Sequence, residues 1–233
     1  MLGILPKRRL PPPAKPLQIL IPVFTRFDTA RFVLSVPELP ALRSPLLDPV
    51  PEVAFVGRSN SGKSSAINAL THRTRLAYAS KTPGRTQMLN FFALHSGRAE
   101  TTAGHLVDLP GYGFAKVDAA TREHWNGLVG GYLTGRAMLR GVVLVMDCRR
   151  PLLTADEDLI HLLCQRGELP PVALHMLLSK ADQIKTTARR AVLEQARQRA
   201  QQLPLQVTFQ LFSARAREGI EELRERVGGM LSD

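Results

Sequence analysis

Gly57-Arg58-Ser59-Asn60-Ser61-Gly62-Lys63-Ser64 fits the pattern G-x-x-x-x-G-K-[ST] at every fixed position. The residues before it, Val53-Ala54-Phe55-Val56, form a short apolar run suited to a buried strand, and Ser65-Ala66-Ile67-Asn68-Ala69-Leu70 after it reads as the first turns of a helix. Strand, glycine loop and helix are the context this motif requires. Backbone N–H groups of the loop and of the helix N-terminus can wrap phosphates, Lys63 can reach the outer phosphates, and the Ser64 hydroxyl can ligate magnesium. The loop therefore points to a bound nucleoside triphosphate without saying which one.

Outward from the loop, strand and helix signals alternate. Met88 to His95 and Gly104 to Asp108 are apolar runs separated by the polar Ser96 to Ala103, the pattern of a hairpin. A helix is predicted over 121–139, a buried strand over 141–147, a helix over 155–166, a strand over 172–178 and a helix over 186–202. A strand over 207–212 and a closing helix over 218–231 complete the chain. Arg31 to Val36 reads either as a strand or as an extended lead-in. The alternation predicts an α/β fold with a doubly wound, mostly parallel sheet and one antiparallel edge strand.

Residues 1–27 differ from the rest. They are basic, rich in proline (Pro6, Pro11, Pro12, Pro13, Pro16, Pro22) and contain no acid before Asp28, which predicts a flexible tail ahead of one domain over 28–233. A mis-assigned start and a targeting segment are the other readings; against the latter, the apolar run from Leu17 is broken by Pro22 and no small-residue cleavage site follows.

Of 233 residues, 44% are hydrophobic and 22% charged, the balance of an ordinary globular protein, and no apolar run approaches the length of a membrane span. Cys148 and Cys164 lack metal or C-x-x-C spacing and read as free thiols in a reducing compartment. The formal net charge of +11 favours a polyanionic partner, although an arginine-rich solvated surface would give the same total.

In a doubly wound sheet, ligands lie beyond the carboxyl ends of the strands. Asp108-Leu109-Pro110-Gly111, after the second hairpin strand, is a D-x-x-G: the acid can hold magnesium through water, and the Gly111 N–H can approach a terminal phosphate. Ser179-Lys180-Ala181-Asp182 is close to [NT]-K-x-D, in which the acid's two oxygens accept the ring N1–H and exocyclic amine of guanine. Sites that pair with a hydrogen-bonding partner in this way reject analogues lacking it by roughly 10⁴ to 10⁵. The next strand ends in Phe212-Ser213-Ala214, where a backbone N–H can donate to guanine O6. Lys81-Thr82-Pro83-Gly84-Arg85-Thr86-Gln87 is a loop that could close over magnesium through Thr86.

Those elements, in this order, resemble the translation-factor-related GTPases. G-R-S-N-x-G-K-S-S, S-K-T-P-G-R-T-Q, D-L-P-G-Y-G, the D-x-R-x-P of Asp147 to Pro151 and K-A-D are closer still to the YihA/EngB/YsxC family of bacterial GTPases, from about Arg31 to the C-terminus. The resemblance implies one GTP-binding domain, cytoplasmic and monomeric, that assists assembly of the large ribosomal subunit and is linked to cell division and septation. It assigns Gly57, Arg58, Ser59, Asn60, Ser61, Gly62, Lys63, Ser64 and Ser65 to phosphate, and Ser64 and Thr86 to magnesium. Gly84, Arg85, Thr86, Gln87 and Met88 become a first switch, and Asp108, Leu109, Pro110 and Gly111 the start of a second. Guanine falls to Ser179, Lys180, Ala181 and Asp182 together with Phe212, Ser213 and Ala214. Ser179 stands where the family usually has threonine, with the hydroxyl kept.

Tyr112 occupies the place where small signalling GTPases carry the glutamine that orients attacking water, so slow intrinsic hydrolysis is expected. A glutamine-bearing switch alone reaches only about 10⁻⁴ per second, and an added cationic group contributes roughly 10³ to 10⁵. In related GTPases an Asn at the position of Asn60 ligates potassium; Asn also simply tolerates tight loop geometry, and both readings stand. Arg85 is a second candidate cation or a partner contact. Lys63, Thr86 and Gly111, with Asn60, are thus the residues expected to carry hydrolysis, with GTP or GDP, magnesium and potassium as ligands. The rivals are a ribosome- or RNA-binding module with a structural nucleotide, and a P-loop ATPase or kinase.

Overall fold

The computed structural model describes residues 25–77, 88–96, 101–113, 123–167 and 169–232. Its centre is β2 (Glu52–Gly57), all six residues of which are buried. Such a strand, covered on both faces, is apolar at successive positions instead of alternating. The alternation appears in which layer each residue meets. Val53 and Phe55 pack on one side with Ala66, Ile67 and Leu70 of α1 (Lys63–Leu70) and with Leu223, Val227 and Leu231 of the closing helix (Ile220–Ser232). Ala54 and Val56 pack on the other with Leu128, Leu133, Leu159, Ile160, Leu163 and Ala196. Each fully buried aliphatic side chain contributes about 1.5–3 kcal/mol relative to exposure, so this double packing holds the sheet between two helical layers.

Seven strands form one sheet: β1 (Thr25–Val36), β2, β3 (Leu89–Ser96), β4 (Thr101–Asp108), β5 (Leu139–Asp147), β6 (Ala173–Ser179) and β7 (Val207–Leu211), in the spatial order β1-β3-β4-β2-β5-β6-β7. β4, β2, β5, β6 and β7 are parallel, while β3 runs antiparallel to both β4 and β1. The doubly wound, mostly parallel class holds; the antiparallel strand lies one place in from the edge. β1 covers it and resolves the Arg31–Val36 ambiguity in favour of a strand.

β1 begins at Thr25, so residues 25–27, predicted to belong to the tail, pair with β3 through Thr25 and Arg26, and Phe27 is buried. Register shifts between Arg26 and Arg31 and between Phe32 and Leu34 break the period-two pattern that would have marked its start.

Helices α2 (Gly131–Gly135), α3 (Thr154–Cys164), α4 (Thr186–Gln201) and α5 (Ile220–Ser232) follow α1. The helix predicted over 121–139 is shorter and irregular. Asn126–Gly130 is a π-helical turn leading into α2, where Gly127, Gly130 and Gly131 weaken regular winding. Arg136 then turns extended and gives its guanidinium to buried Glu52, and Leu139 opens β5. Among the described residues no helix is long and apolar enough to cross a membrane. Cys148 and Cys164 are unbonded, and burial pushes the Cys148 thiol up to about 11.

Candidate nucleotide site

β2 delivers the chain into the glycine loop at a point where no side chain fits. A Cβ on Gly57 would lie 2.4 Å from the Val145 carbonyl oxygen and 2.6 Å from Ser61 Oγ. Asn60 and Gly62 take positive φ values of 61° and 98°, and the loop turns back on itself through a Ser61 N–H donation to Arg58 O at 3.0 Å. Gly62 caps α1, and among the described residues no side chain caps it. The first-turn N–H groups of α1, which have no intrahelical acceptor, are therefore left to an external one, and the helix dipole favours an anion there. Lys63 and Ser64 are the first two residues of that helix, partly buried, and Ser65 is exposed beside them.

The D-x-x-G segment continues β4 against the loop. Leu109 N–H donates to Phe55 O at 3.0 Å, Ser59 N–H donates to Tyr112 O at 2.9 Å, and Arg58 and Tyr112 form an isolated parallel bridge. Gly111 packs on Ser59, with room of only 3.4 Å between a Cβ there and the Ser59 nitrogen. Lys63 Nζ donates to Asp108 Oδ1, and both side chains are largely buried. A cation and an acid are thus paired at the N-terminal turn of α1, the turn that also carries Ser64. Hard oxygen donors of this kind suit magnesium, which prefers carboxylate, hydroxyl and phosphate oxygen.

Tyr112 is buried, and its hydroxyl is committed to another side chain. It is 6% exposed, its hydroxyl donates to Asp156 Oδ1 at 2.6 Å, and its ring meets Trp125 edge to face at 5.7 Å. Burial chiefly raises both ionisations, of Tyr112 and of Asp156. Asp156 also accepts the Leu153 N–H at 3.0 Å, and Trp125 Nε1 donates to Pro110 O at 3.0 Å. The side chain after D-L-P-G is thereby an anchor for this segment on α3.

At the next strands the second half of the site assembles. Ser179 is buried, and its hydroxyl faces the carbonyl oxygens of Ser61 and of Met146, the latter at 3.0 Å. This serine braces the phosphate loop, a role its motif position does not advertise. Lys180, at φ 59°, sends Nζ to Asn60 O at 2.5 Å and to Asp147 Oδ2 at 2.9 Å. The Arg149 guanidinium, with Lys180, holds the Asp147 carboxyl well below the usual carboxylate range, so the acid and arginine of the D-x-R-x-P motif seat the lysine. Asp182 is exposed and accepts a 2.6 Å hydrogen bond from buried Ser213 Oγ; Ala181 N–H donates to Phe212 O at 3.0 Å, and Ala214 follows half-buried.

The predicted residues at 57–65, 108–111, 179–182 and 212–214 are therefore brought to one end of the sheet. Met88 is described and 41% exposed. Gly84, Arg85, Thr86 and Gln87 lie outside the described residues.

Motif reading did not find Arg189 or Glu218. Arg189 donates to Ala181 O at 2.9 Å and to the Glu218 carboxylate at 2.7 and 3.2 Å. Neither residue belongs to a fixed spacing, so no local signal marks them.

A glycine loop feeding an uncapped helix, an acid beside its lysine and an S-K-A-D segment at the neighbouring strand end define a P-loop nucleotide-binding domain of the GTPase class. Residues 52–180 match the family model described as 50S ribosome-binding GTPase. The probable GTP-binding protein EngB of Aromatoleum aromaticum is 44% identical over 205 residues, covering 88% of this chain and 89% of that protein. That of Laribacter hongkongensis is 49% identical over 178 residues, 76% of each chain. The chain belongs to the EngB family of GTP-binding proteins. Among solved structures, a probable GTP-binding protein engB superposes with a TM-score of 0.57 at 24% identity, covering 77% of this chain and 98% of that one. A bacterial selenocysteine-specific elongation factor, EF-Sec, gives 0.58 at 17% identity over 78% and 28%. Both likenesses are of fold. Family membership displaces the ATPase or kinase rival.

Proposed function

We propose that the protein is a cytoplasmic, monomeric GTP-hydrolysing switch whose affinity for the large ribosomal subunit or its precursor changes with the nucleotide it holds, with a link to cell division and septation that rests on family resemblance. The observation that carries the nucleotide reading is the Ser213–Asp182 pair at the same sheet end as Lys63 and Asp108, tied to the phosphate loop by Lys180. A base reader and a phosphate cradle then form one site. The matching family model is described by 50S binding, and a net charge of +11 favours an RNA-rich partner.

In this reading the α1 N-terminus and Lys63 hold the β- and γ-phosphates, and Gly111 approaches the γ-phosphate. Asp182 accepts the guanine N1–H and amine, while a backbone N–H near Ala214 donates to O6. Water attacks the γ-phosphorus, the bond to the β–γ bridging oxygen breaks, and GDP and inorganic phosphate leave. Ser64, Asp108 through water and Thr86 would hold magnesium, which when bound neutralises charge developing on the phosphate oxygens.

Titration with fluorescent GDP and ADP tests the base reading. GDP preference is expected, with Asp182→Asn shifting it toward xanthine nucleotide; equal binding of GDP and ADP overturns it. Sedimentation with ribosomal particles in GTP analogue, GDP or no nucleotide tests the partner. Indifference of every particle in every state overturns the ribosomal role and leaves the GTPase alone standing.

A further inference from the structure

We propose that Arg189 and Glu218 are positioning residues for nucleobase discrimination: together they close a ring of contacts that fixes the Asp182 carboxylate relative to the 212–218 loop. This rests on the reading of Asp182 as the guanine acceptor. The ring can be followed bond by bond. Arg189 Nη2 donates to the carbonyl of Ala181, the residue before Asp182, at 2.9 Å, and Arg189 Nη1 and Nη2 donate to the two Glu218 oxygens at 2.7 and 3.2 Å. Glu218 exchanges both backbone hydrogen bonds with Ser213, 2.9 Å and 3.1 Å. Ser213 Oγ donates to Asp182 Oδ1 at 2.6 Å and accepts the Ala216 N–H at 3.0 Å, which closes the circuit.

The strands alone do not supply this alignment. Pairing of β6 with β7 ends at Leu178 and Leu211, and the backbone bonds of Phe212 with Leu178 and Ala181 extend it by one residue. Past that point, the hydrogen bonds joining the two segments among the described residues are the Ser213–Asp182 bond and the Arg189 brace. Arg189 comes from α4, an element packed on the sheet, so it refers both loops to a rigid body. A guanidinium suits the place because its planar fork gives two bonds to the Glu218 carboxylate and a third to the Ala181 carbonyl from one rigid plane, whereas an ammonium is a point charge whose donors rotate. The pair is part-exposed, at 29% and 35%. Exposed ion pairs add little to global stability, so its effect is expected in the loops and not in the melting of the domain.

The test compares GDP with inosine diphosphate, which lacks the exocyclic amine and so reports whether the second Asp182 oxygen is aimed. Full-length wild type, Arg189→Gln, Arg189→Lys, Glu218→Gln and Asp182→Ala are compared by stopped-flow dissociation and equilibrium competition, with thermal melting of each. Arg189→Gln and Glu218→Gln are expected to speed GDP release about tenfold and to lower the GDP-over-IDP preference at least threefold, with Arg189→Lys between them and wild type. Loss of fold lowers active concentration for both nucleotides equally and leaves the ratio untouched. An unchanged ratio in both Gln variants, with Asp182→Ala abolishing it, overturns the brace alone. An unchanged ratio in Asp182→Ala overturns the base reading and the brace with it.

Discussion

Lys180 Nζ lies 2.5 Å from the carbonyl oxygen of Asn60, so the lysine of the base-recognition segment is hydrogen-bonded to the middle of the phosphate loop. Two segments 120 residues apart in sequence are thereby one unit, and Asp147, itself held by Arg149, keeps the ammonium in place.

This linkage predicts that Lys180→Met loosens both halves of the site. Hydrogen bonds to charged groups contribute roughly 1.5–3 kcal/mol, so GDP dissociation should speed up by about one to two powers of ten. Asp147→Asn, which leaves the lysine and its bond to Asn60 intact, should cost less. Dissociation of a fluorescent GDP measures both, and an Asp147→Asn effect equal to that of Lys180→Met would mean that the Asn60 contact is immaterial.

Because the Tyr112 hydroxyl is committed to Asp156, Tyr112→Phe is expected to leave single-turnover GTP hydrolysis within about threefold of wild type. The same variant strips a buried carboxyl of a donor, a loss of roughly 1–3 kcal/mol, visible in chemical denaturation. Hydrolysis falling more than tenfold, with stability unchanged, would place the hydroxyl in the reaction and refute the anchoring role.

His175 supplies a pH dependence of a definite sign. It is fully buried, and burial lowers its pKa to about 4. Gln210 Nε2 donates to Gly219 O at 2.8 Å, so its Oε1 accepts from His175 Nε2–H at 3.0 Å, and Nδ1 accepts from Thr208 Oγ1 at 2.7 Å. The folded protein holds this ring neutral, whereas the unfolded chain takes up the proton near pH 6.5. Stability from this group is whole above about pH 6.5 and is lost as pH falls toward 4, by about 3 kcal/mol in all. Denaturant unfolding across that range should show the slope, and His175→Gln should flatten it; parallel curves for the two proteins would refute the assignment.

What could be read from the sequence was local. The glycine loop, D-x-x-G and S-K-A-D are runs of adjacent residues, and β2 and β5 are unbroken apolar stretches, so strand, loop and helix announce themselves without tertiary information. The Tyr112–Asp156 and Arg189–Glu218 pairs join residues 44 and 29 positions apart, and only the winding of α3 and α4 onto the sheet brings them together. β1 was half legible for a related reason: its bulges interrupt alternation, and Phe32, 56% exposed at the edge, carries no burial signal. The π-helical turn at Asn126–Gly130 was illegible because helical periodicity does not distinguish one extra residue in a turn.

Asn60 is where backbone and chemistry compete as explanations. Its φ of 61° is a conformation that Asn tolerates better than most residues, which accounts for its presence without any ligand. If it also holds potassium, GTP turnover should be at least tenfold faster in potassium than in sodium at equal ionic strength, since a cation beside the phosphates contributes up to roughly 10³ to 10⁵ in related reactions. The positive φ decides which variant separates the two roles. Asn60→Ala would strain the loop and lose the amide together, whereas Asn60→Gly keeps the backbone free to adopt φ 61° and removes only the amide side chain. Potassium stimulation lost in Asn60→Gly, with GDP affinity within a few-fold of wild type, assigns the amide to the cation. Equal turnover in the two salts for the wild-type protein would sink the potassium reading and leave Asn60 a purely conformational residue.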